Sequence, residues 1–75
     1  MSYILFEIQD LSTGYPSPFL DTEGRKQEEV SRIIDETFSF FHSKNIEVVM
    51  KIADDLGLIK STDAIPLDQF KKHFL

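Results

Sequence analysis

The first hydrophobic segment of the chain, residues 1–9, has the pattern of a β-strand. Ile4, Phe6 and Ile8 share one side of this segment if it is extended, and β-branched and aromatic residues are typical of strands. The other side, which carries Leu5, is only half polar, so it too can be covered. Residues 1–9 are therefore predicted to form a strand.

This strand needs a neighbour, because the unpaired edge of a lone strand invites pairing. The sequence offers three candidates: a short extended piece near Phe19 and Leu20, the segment 58–60, and the same strand of a second subunit. The pattern of residues alone does not choose among these three.

The strongest helical periodicity lies in residues 23–43. Asp21 and Thr22 come just before it, and their side-chain oxygens suit an N-cap because they accept hydrogen bonds from first-turn amides. Phe40 projects roughly 80° from the apolar stripe, so it has to meet another element or stand exposed. The stripe that predicts this helix is Val30, Ile33, Ile34, Thr37, Phe38 and Phe41.

A second helical segment is predicted at residues 46–57: the helix runs from residue 46 to residue 56, with Asn45 as its N-cap and Gly57 as the residue that ends it. The link between the two helices, residues 43–45, is so short that they should be neighbours in space. A helical hairpin is therefore predicted at the centre of the fold. The apolar stripe of the second helix is Val49, Ile52, Ala53 and Leu56.

Two further segments complete the predicted fold. Residues 10–22 are rich in Gly, Pro, Ser and Asp and are predicted to form a loop whose Tyr15 and Phe19 pack onto the helices; the alternative is an exposed proline-containing recognition motif. Residues 64–74 are predicted to form a short helix, since Pro66 is tolerated in a first turn. The chain, residues 1–75, is thus predicted to be one small domain of class α+β, mainly helical.

Composition and charge limit the classes of partner that the chain is expected to bind. The 75 residues include no cysteine and carry a formal net charge of −5. Residues 1–24 hold four acidic and no basic residues, which disfavours binding to nucleic acid and suits a basic protein partner. No stretch approaches the roughly 20 apolar residues of a membrane span. These features predict a cytoplasmic protein that binds no membrane.

The residues that carry enzyme chemistry are sparse. The chain has no cysteine, no nucleophile elbow and no phosphate-binding loop, and its two histidines, His42 and His73, are far apart in sequence. No spacing suits a metal site. His42 lies near the predicted end of the first helix, where a protonated imidazole interacts favourably with the helix dipole. We therefore predict a protein that is not an enzyme and needs neither cofactor nor metal.

The segment Ile52-Ala53-Asp54-Asp55-Leu56-Gly57-Leu58 resembles the first half of a DNA-binding helix-turn-helix. The resemblance covers about a third of the chain, and the second half departs from it at Asp63 and Pro66. It implies a transcriptional regulator, for which Lys60, Lys71 and Lys72 are the candidate nucleic-acid contacts. This is the alternative function that the sequence leaves open.

The preferred expectation is a small acidic protein that binds and modulates a larger protein, as adaptors and inhibitors do. The chain has seven phenylalanines, and three of them, Phe38, Phe40 and Phe41, crowd the first predicted helix. This is more aromatic surface than one helix face can bury, so the excess predicts a contact surface. A third alternative is a structural homodimer, joined through Phe40 and the N-terminal strand. The residues predicted to contact the partner are Phe40, Val48, Met50 and Phe74.

Overall fold

A four-stranded sheet and three α-helices are formed by residues 2–74, the part of the chain that the computed structural model describes. The strands are β1 (Tyr3–Ile8), β2 (Ser17–Asp21), β3 (Val48–Ala53) and β4 (Ala64–Pro66). The helices are α1 (Gln27–Ser43), α2 (Leu56–Lys60) and α3 (Leu67–Phe74), and Leu11–Thr13 forms a single 3₁₀ turn.

The strands lie in the order β3-β1-β2-β4. β1 is antiparallel to both of its neighbours, with Ile4 opposite Leu20 of β2 and opposite Ile52 of β3. β4 runs parallel to β2 at the far side of the sheet. The first strand of the chain is therefore central, and the last two strands occupy the outer positions.

The residues of β1 explain why it is central. Ile4 and Phe6 point to one face of the sheet and are buried, and Leu5, which points to the other face, is buried as well. A strand that is apolar on both sides is stable only where layers cover both faces of the sheet. The second side of this segment, half polar in the sequence, is covered in the structure.

The helices cover the two faces unequally. α1 and α3 pack on the face that carries Phe6, where Phe41 and Phe70 complete the larger core cluster. α2 packs on the opposite face, where Ile59 meets Leu5 in a smaller cluster. The crossover from β2 to β3 and the crossover from β3 to β4 consequently run on opposite faces.

The prediction of a mainly helical fold built on a helical hairpin is wrong. The segment 46–57, predicted to be one helix, contains β3 and the first residues of α2. Asn45 does not cap a second helix; it ends the helix before it, with a left-handed φ of 57°. The amide of Ile46 donates to the carbonyl of Phe41 (2.9 Å) and the amide of Asn45 to that of His42 (3.0 Å). These two bonds form a Schellman motif, which turns the chain out of α1.

Three other boundaries differ from the sequence prediction. α1 begins at Gln27, not near residue 23, and Asp21 accepts a hydrogen bond from the amide of Glu23 in the turn that precedes it (2.9 Å). The predicted loop 10–22 contains β2, because Phe19 and Leu20 pair with β1. α3 begins at residue 67, since the three residues before it pair with β2 as β4.

Of the three neighbours considered for the N-terminal strand, the piece around Phe19 and Leu20 is the one that pairs with it. The segment 58–60 lies in α2. Pairing of β1 with a second subunit is excluded, because β2 and β3 occupy both of its sides. The N-terminal strand therefore cannot join two copies of the chain, as the homodimer alternative required.

Candidate functional site

The outer strand β3 carries the largest group of exposed apolar side chains within one element among residues 2–74. Val49 is 41% exposed, Met50 39% and Ile52 66%. β3 lies at the margin of both helical layers, so neither α1 nor α2 covers it fully. Met50 and Ile52 point to one face of the sheet and Val49 to the other, so the exposed apolar side chains flank one edge from both faces. A group of exposed apolar side chains marks a contact surface more often than a single one does.

The backbone of β3 is also open on its outer side. The amide of Gln9 donates to the carbonyl of Glu47 (3.0 Å), and in an antiparallel pair every second residue exchanges hydrogen bonds with the facing strand. Val49 and Lys51 therefore bond to β1, whereas the amides and carbonyls of Val48, Met50 and Ile52 point outward. No strand within residues 2–74 pairs with this side.

The other side of β1 confirms this alternation. The amide of Thr22 donates to the carbonyl of Ser2 (3.1 Å), which places the even-numbered residues of β1 against β2. The odd-numbered residues of β1 consequently face β3. The outward direction of Val48, Met50 and Ile52 is thus supported by two independent hydrogen bonds.

The opposite margin of the sheet is closed in a way that β3 is not. β4 has only three residues, and its last, Pro66, has no amide hydrogen to donate. Short strands and proline are common means by which natural sheets block unwanted strand addition. β3, by contrast, keeps six residues in unbroken register with β1 and has neither proline nor glycine.

One ion pair borders the open edge. The Lys51 ammonium donates to the Glu7 carboxylate (3.0 Å), and both side chains are partly exposed. This hydrogen bond, and a weaker contribution from Gln9, lowers the pKa of Glu7 below its usual value of 4.5. Lys51, Glu7 and Val49 share the face of the sheet that α2 covers, so the edge is apolar but carries charges of both signs.

The four residues predicted to form a partner-binding patch belong to two different parts of the molecule. Val48 and Met50 lie on β3, where Val48 is half-buried against the larger core cluster. The rings of Phe40 and Phe74 both pack against Phe70, with centroid distances of 6.1 and 5.1 Å.

The phenylalanines of α1 are mostly used inside the protein. Phe38 packs edge-on against Phe6 (5.6 Å), and Phe41 is fully buried. Phe40 lies between Phe41 and Phe70 and is half-buried. α3 covers these rings of α1, so the exposed large apolar side chains of residues 2–74 lie outside α1. Three of them are on β3, and the others are Leu11, Leu58 and Phe74.

The basic residues proposed for DNA contact are not gathered. Lys60 ends α2 on one face of the sheet, whereas Lys71 and Lys72 lie in α3 on the other face. Ile52 and Ala53, which resembled the start of a helix-turn-helix, end a strand. The helix-turn-helix therefore does not form, because its first helix is absent.

Residues 2–74 contain no group of three metal-ligating side chains placed to hold an ion. Within the same residues, none of the helices is both long and apolar enough to cross a membrane. His42 and His73 are both exposed, in the last turns of α1 and α3.

Comparison with known proteins gives no family: no protein-family model, curated protein or solved structure matches the chain.

Proposed function

We propose that this protein is a small interaction module that binds a protein strand along the free edge of β3. The observation that supports the proposal most directly is the coincidence of two features on one strand. Outward backbone groups lie at Val48, Met50 and Ile52. Met50 and Ile52 also have exposed apolar side chains, as does Val49, whereas Val48 is half-buried. Strand addition uses both, since main-chain hydrogen bonds supply affinity and side chains supply specificity.

The proposal keeps the non-enzymatic interaction role expected from the sequence but moves the contact surface. Val48 and Met50 remain in it, and Ile52 and Val49 are added. Phe40 packs against the core cluster beside Phe70, whereas Phe74 contacts Phe70 but is 37% exposed on α3, a different element from β3. The edge carries charges of both signs, Lys51 and Glu7, so the net negative charge of the chain does not require a basic partner.

The proposal is tested by capture of cross-linked complexes from native cells that contain tagged and untagged copies of the protein. Wild type is compared with Ile52→Lys and with Leu58→Lys. Ile52 is 66% exposed and Leu58 65%, so the two changes remove equally exposed apolar side chains, one from β3 and one from α2. We expect protein partners, untagged copies included, to be captured by wild type and by Leu58→Lys and to be lost with Ile52→Lys.

Circular dichroism spectra of the two variants should match that of wild type, because both substituted side chains are largely exposed. If Ile52→Lys captures the same proteins as wild type while Leu58→Lys does not, the contact surface lies on α2 and the proposal fails. It also fails if both variants capture everything that wild type captures.

A further inference from the structure

We infer that the strand completing this edge is β3 of a second copy of this chain, paired antiparallel across a two-fold axis at Met50. The inference rests on the proposed function, and it names the partner. The two sheets would join into one sheet of eight strands, with α1 of both copies on the same face. Each copy would contribute the same surface, as a two-fold interface requires.

The backbone favours this register. Val48 and Ile52 lie symmetrically on either side of Met50, and all three have outward amides and carbonyls. In an antiparallel pair centred on Met50, Val48 of one copy faces Ile52 of the other, and Met50 faces Met50. Every outward group of both strands then has a partner. A shift of two residues in either direction leaves one of these residues without its facing residue on β3.

The side chains on the α1 face agree with the same register. Val48, Met50 and Ile52 are opposite Ile8, Phe6 and Ile4 of β1, so all three point to that face. In the dimer, Met50 contacts Met50 of the second copy, and each Ile52 contacts a Val48. Apolar and β-branched pairs directly opposite one another stabilise antiparallel strands. Ile52, the most exposed large apolar residue of β3, is then covered in part by a β-branched residue.

The charges on the other face are also complementary. Centring on Met50 places Lys51 of the second copy opposite Val49, whose neighbour in β1 is Glu7. Glu47 lies two residues before Val49 on the same face, within the diagonal reach of a long side chain. Each Lys51 then has its own Glu7 and, on the diagonal, Glu47 of the other copy. The other diagonal neighbour is Lys51 of the second copy, so each lysine has two carboxylates and one like charge around it, and the charges on this face favour the pairing.

The size of the contact sets the expected affinity. Three outward residues on each strand bury less surface than the roughly 1,200–2,000 Å² of a standard protein–protein interface. We therefore expect a reversible dimer with a dissociation constant on the order of 10–100 μM. Sedimentation equilibrium between about 1 μM and about 1 mM should record the change from monomer to dimer around that constant.

The first experiment compares the dimerisation of wild type, Ile52→Lys and Leu58→Lys. Ile52→Lys should weaken dimerisation by at least about tenfold, since the two-fold axis makes one change remove the Ile52–Val48 cross-strand pair at both ends of the interface. Leu58→Lys should leave it unchanged. A wild-type protein that stays monomeric at about 1 mM overturns the inference, as does a dimer that Leu58→Lys weakens more than Ile52→Lys.

The second experiment tests the register with Met50→Lys and Met50→Asp. Only pairing centred on Met50 places the substituted residue opposite itself, so each variant alone should dimerise at least about tenfold more weakly than wild type, because like charges then face each other. An equal mixture of the two should recover a heterodimer, detected by native mass spectrometry. A mixture that stays monomeric overturns this register.

The failure of this inference can be told apart from that of the proposed function. A monomeric wild type whose capture of another protein still depends on Ile52 overturns the second copy as partner and leaves the proposed function standing. A monomeric wild type that captures nothing through Ile52 overturns both.

Discussion

Lys51 is the single charged residue of β3, and it has a different role from the apolar residues around it. Its ammonium donates to Glu7 across the strand pair at 3.0 Å. Both side chains remain partly exposed, so the pair is of the kind that contributes little to stability and is weakened by salt. Its measurable effect is on the carboxylate.

We predict that Lys51→Ala raises the pKa of Glu7 toward its usual value of 4.5. The hydrogen bond from Lys51 is the largest cause of the lowered pKa, and that from Gln9 remains in the variant. Because folding lowers this pKa, the pair stabilises the protein above the usual glutamate value, and the contribution is lost as the pH falls through the lowered value.

Carboxyl titration by NMR at low protein concentration measures this change. Asp10 is the internal control, since hydrogen bonds from Ser12 lower its pKa without any contribution from Lys51. The Asp10 titration should be the same in both proteins. An unchanged Glu7 titration in Lys51→Ala would show that the ion pair does not form in solution.

At the scale of the element, the end of α1 sets the direction in which the chain enters β3. Asn45 is the one non-glycine residue of the described chain with a positive φ. A left-handed residue after a helix lets the next amides return to the last carbonyls and sends the chain in a new direction. Ile46 is then half-buried against the core cluster that contains Phe41, and β3 begins two residues later.

We predict that Asn45→Val lowers the free energy of unfolding by about 1–2 kcal/mol, because a β-branched side chain is strained in the left-handed region. Asn45→Gly is the matched control and should leave stability unchanged or raise it slightly. Urea unfolding followed by circular dichroism measures both. Equal destabilisation by valine and glycine would mean that the asparagine side chain matters more than its backbone conformation.

The elements around this turn show which parts of the fold the sequence could predict and which it could not. β1 and the larger part of α1 have a strong period of two or of three to four residues, and both were located correctly. Residues 46–56 fit two periods at once, since Val49, Ile52 and Leu56 recur at helical spacing while Ile46, Val48, Met50 and Ile52 alternate. The side of β1 that β2 leaves unpaired selects the alternating period, because a strand at 48–53 can form hydrogen bonds there. That side exists only once β1 and β2 have formed a sheet.

At the scale of the whole molecule, β1 is the strand on which the fold depends. It is hydrogen-bonded on both sides and covered on both faces, and Phe6 is fully buried. We predict that amides in the middle of β1, such as those of Leu5 and Phe6, exchange with solvent most slowly, near the rate set by global unfolding. Amides of β4 should exchange faster, because that strand is short and lies at the margin.

Native-state hydrogen exchange followed by NMR measures these rates residue by residue. The amides of α1 provide the comparison, since α1 is the longest helix and packs on one face only. If the slowest amides lie in α1 and not in β1, the helix is the most stable unit of the protein and the central position of β1 is not decisive.

Which apolar residues remain exposed at the candidate site depends on how the whole molecule packs, so the sequence alone could predict only part of the site. Met50 was identified as surplus apolar surface, and it is exposed. Phe40 was identified by the same argument, yet it packs against Phe70. The difference arises because α3 folds over Phe40 and no element of the described chain folds over Met50. A residue pattern indicates how much apolar surface an element has but not which other element packs against that surface.

The short, proline-ended strand β4 has a consequence for larger assemblies. In the proposed dimer both copies use the one open sheet edge found within residues 2–74, and the joined sheet is bounded at each end by Ala64–Pro66. Nothing at those ends templates a further copy, because proline lacks the amide that an added strand would need. Concentrated solutions of this protein should therefore reach a fixed particle size and not grow into fibrils.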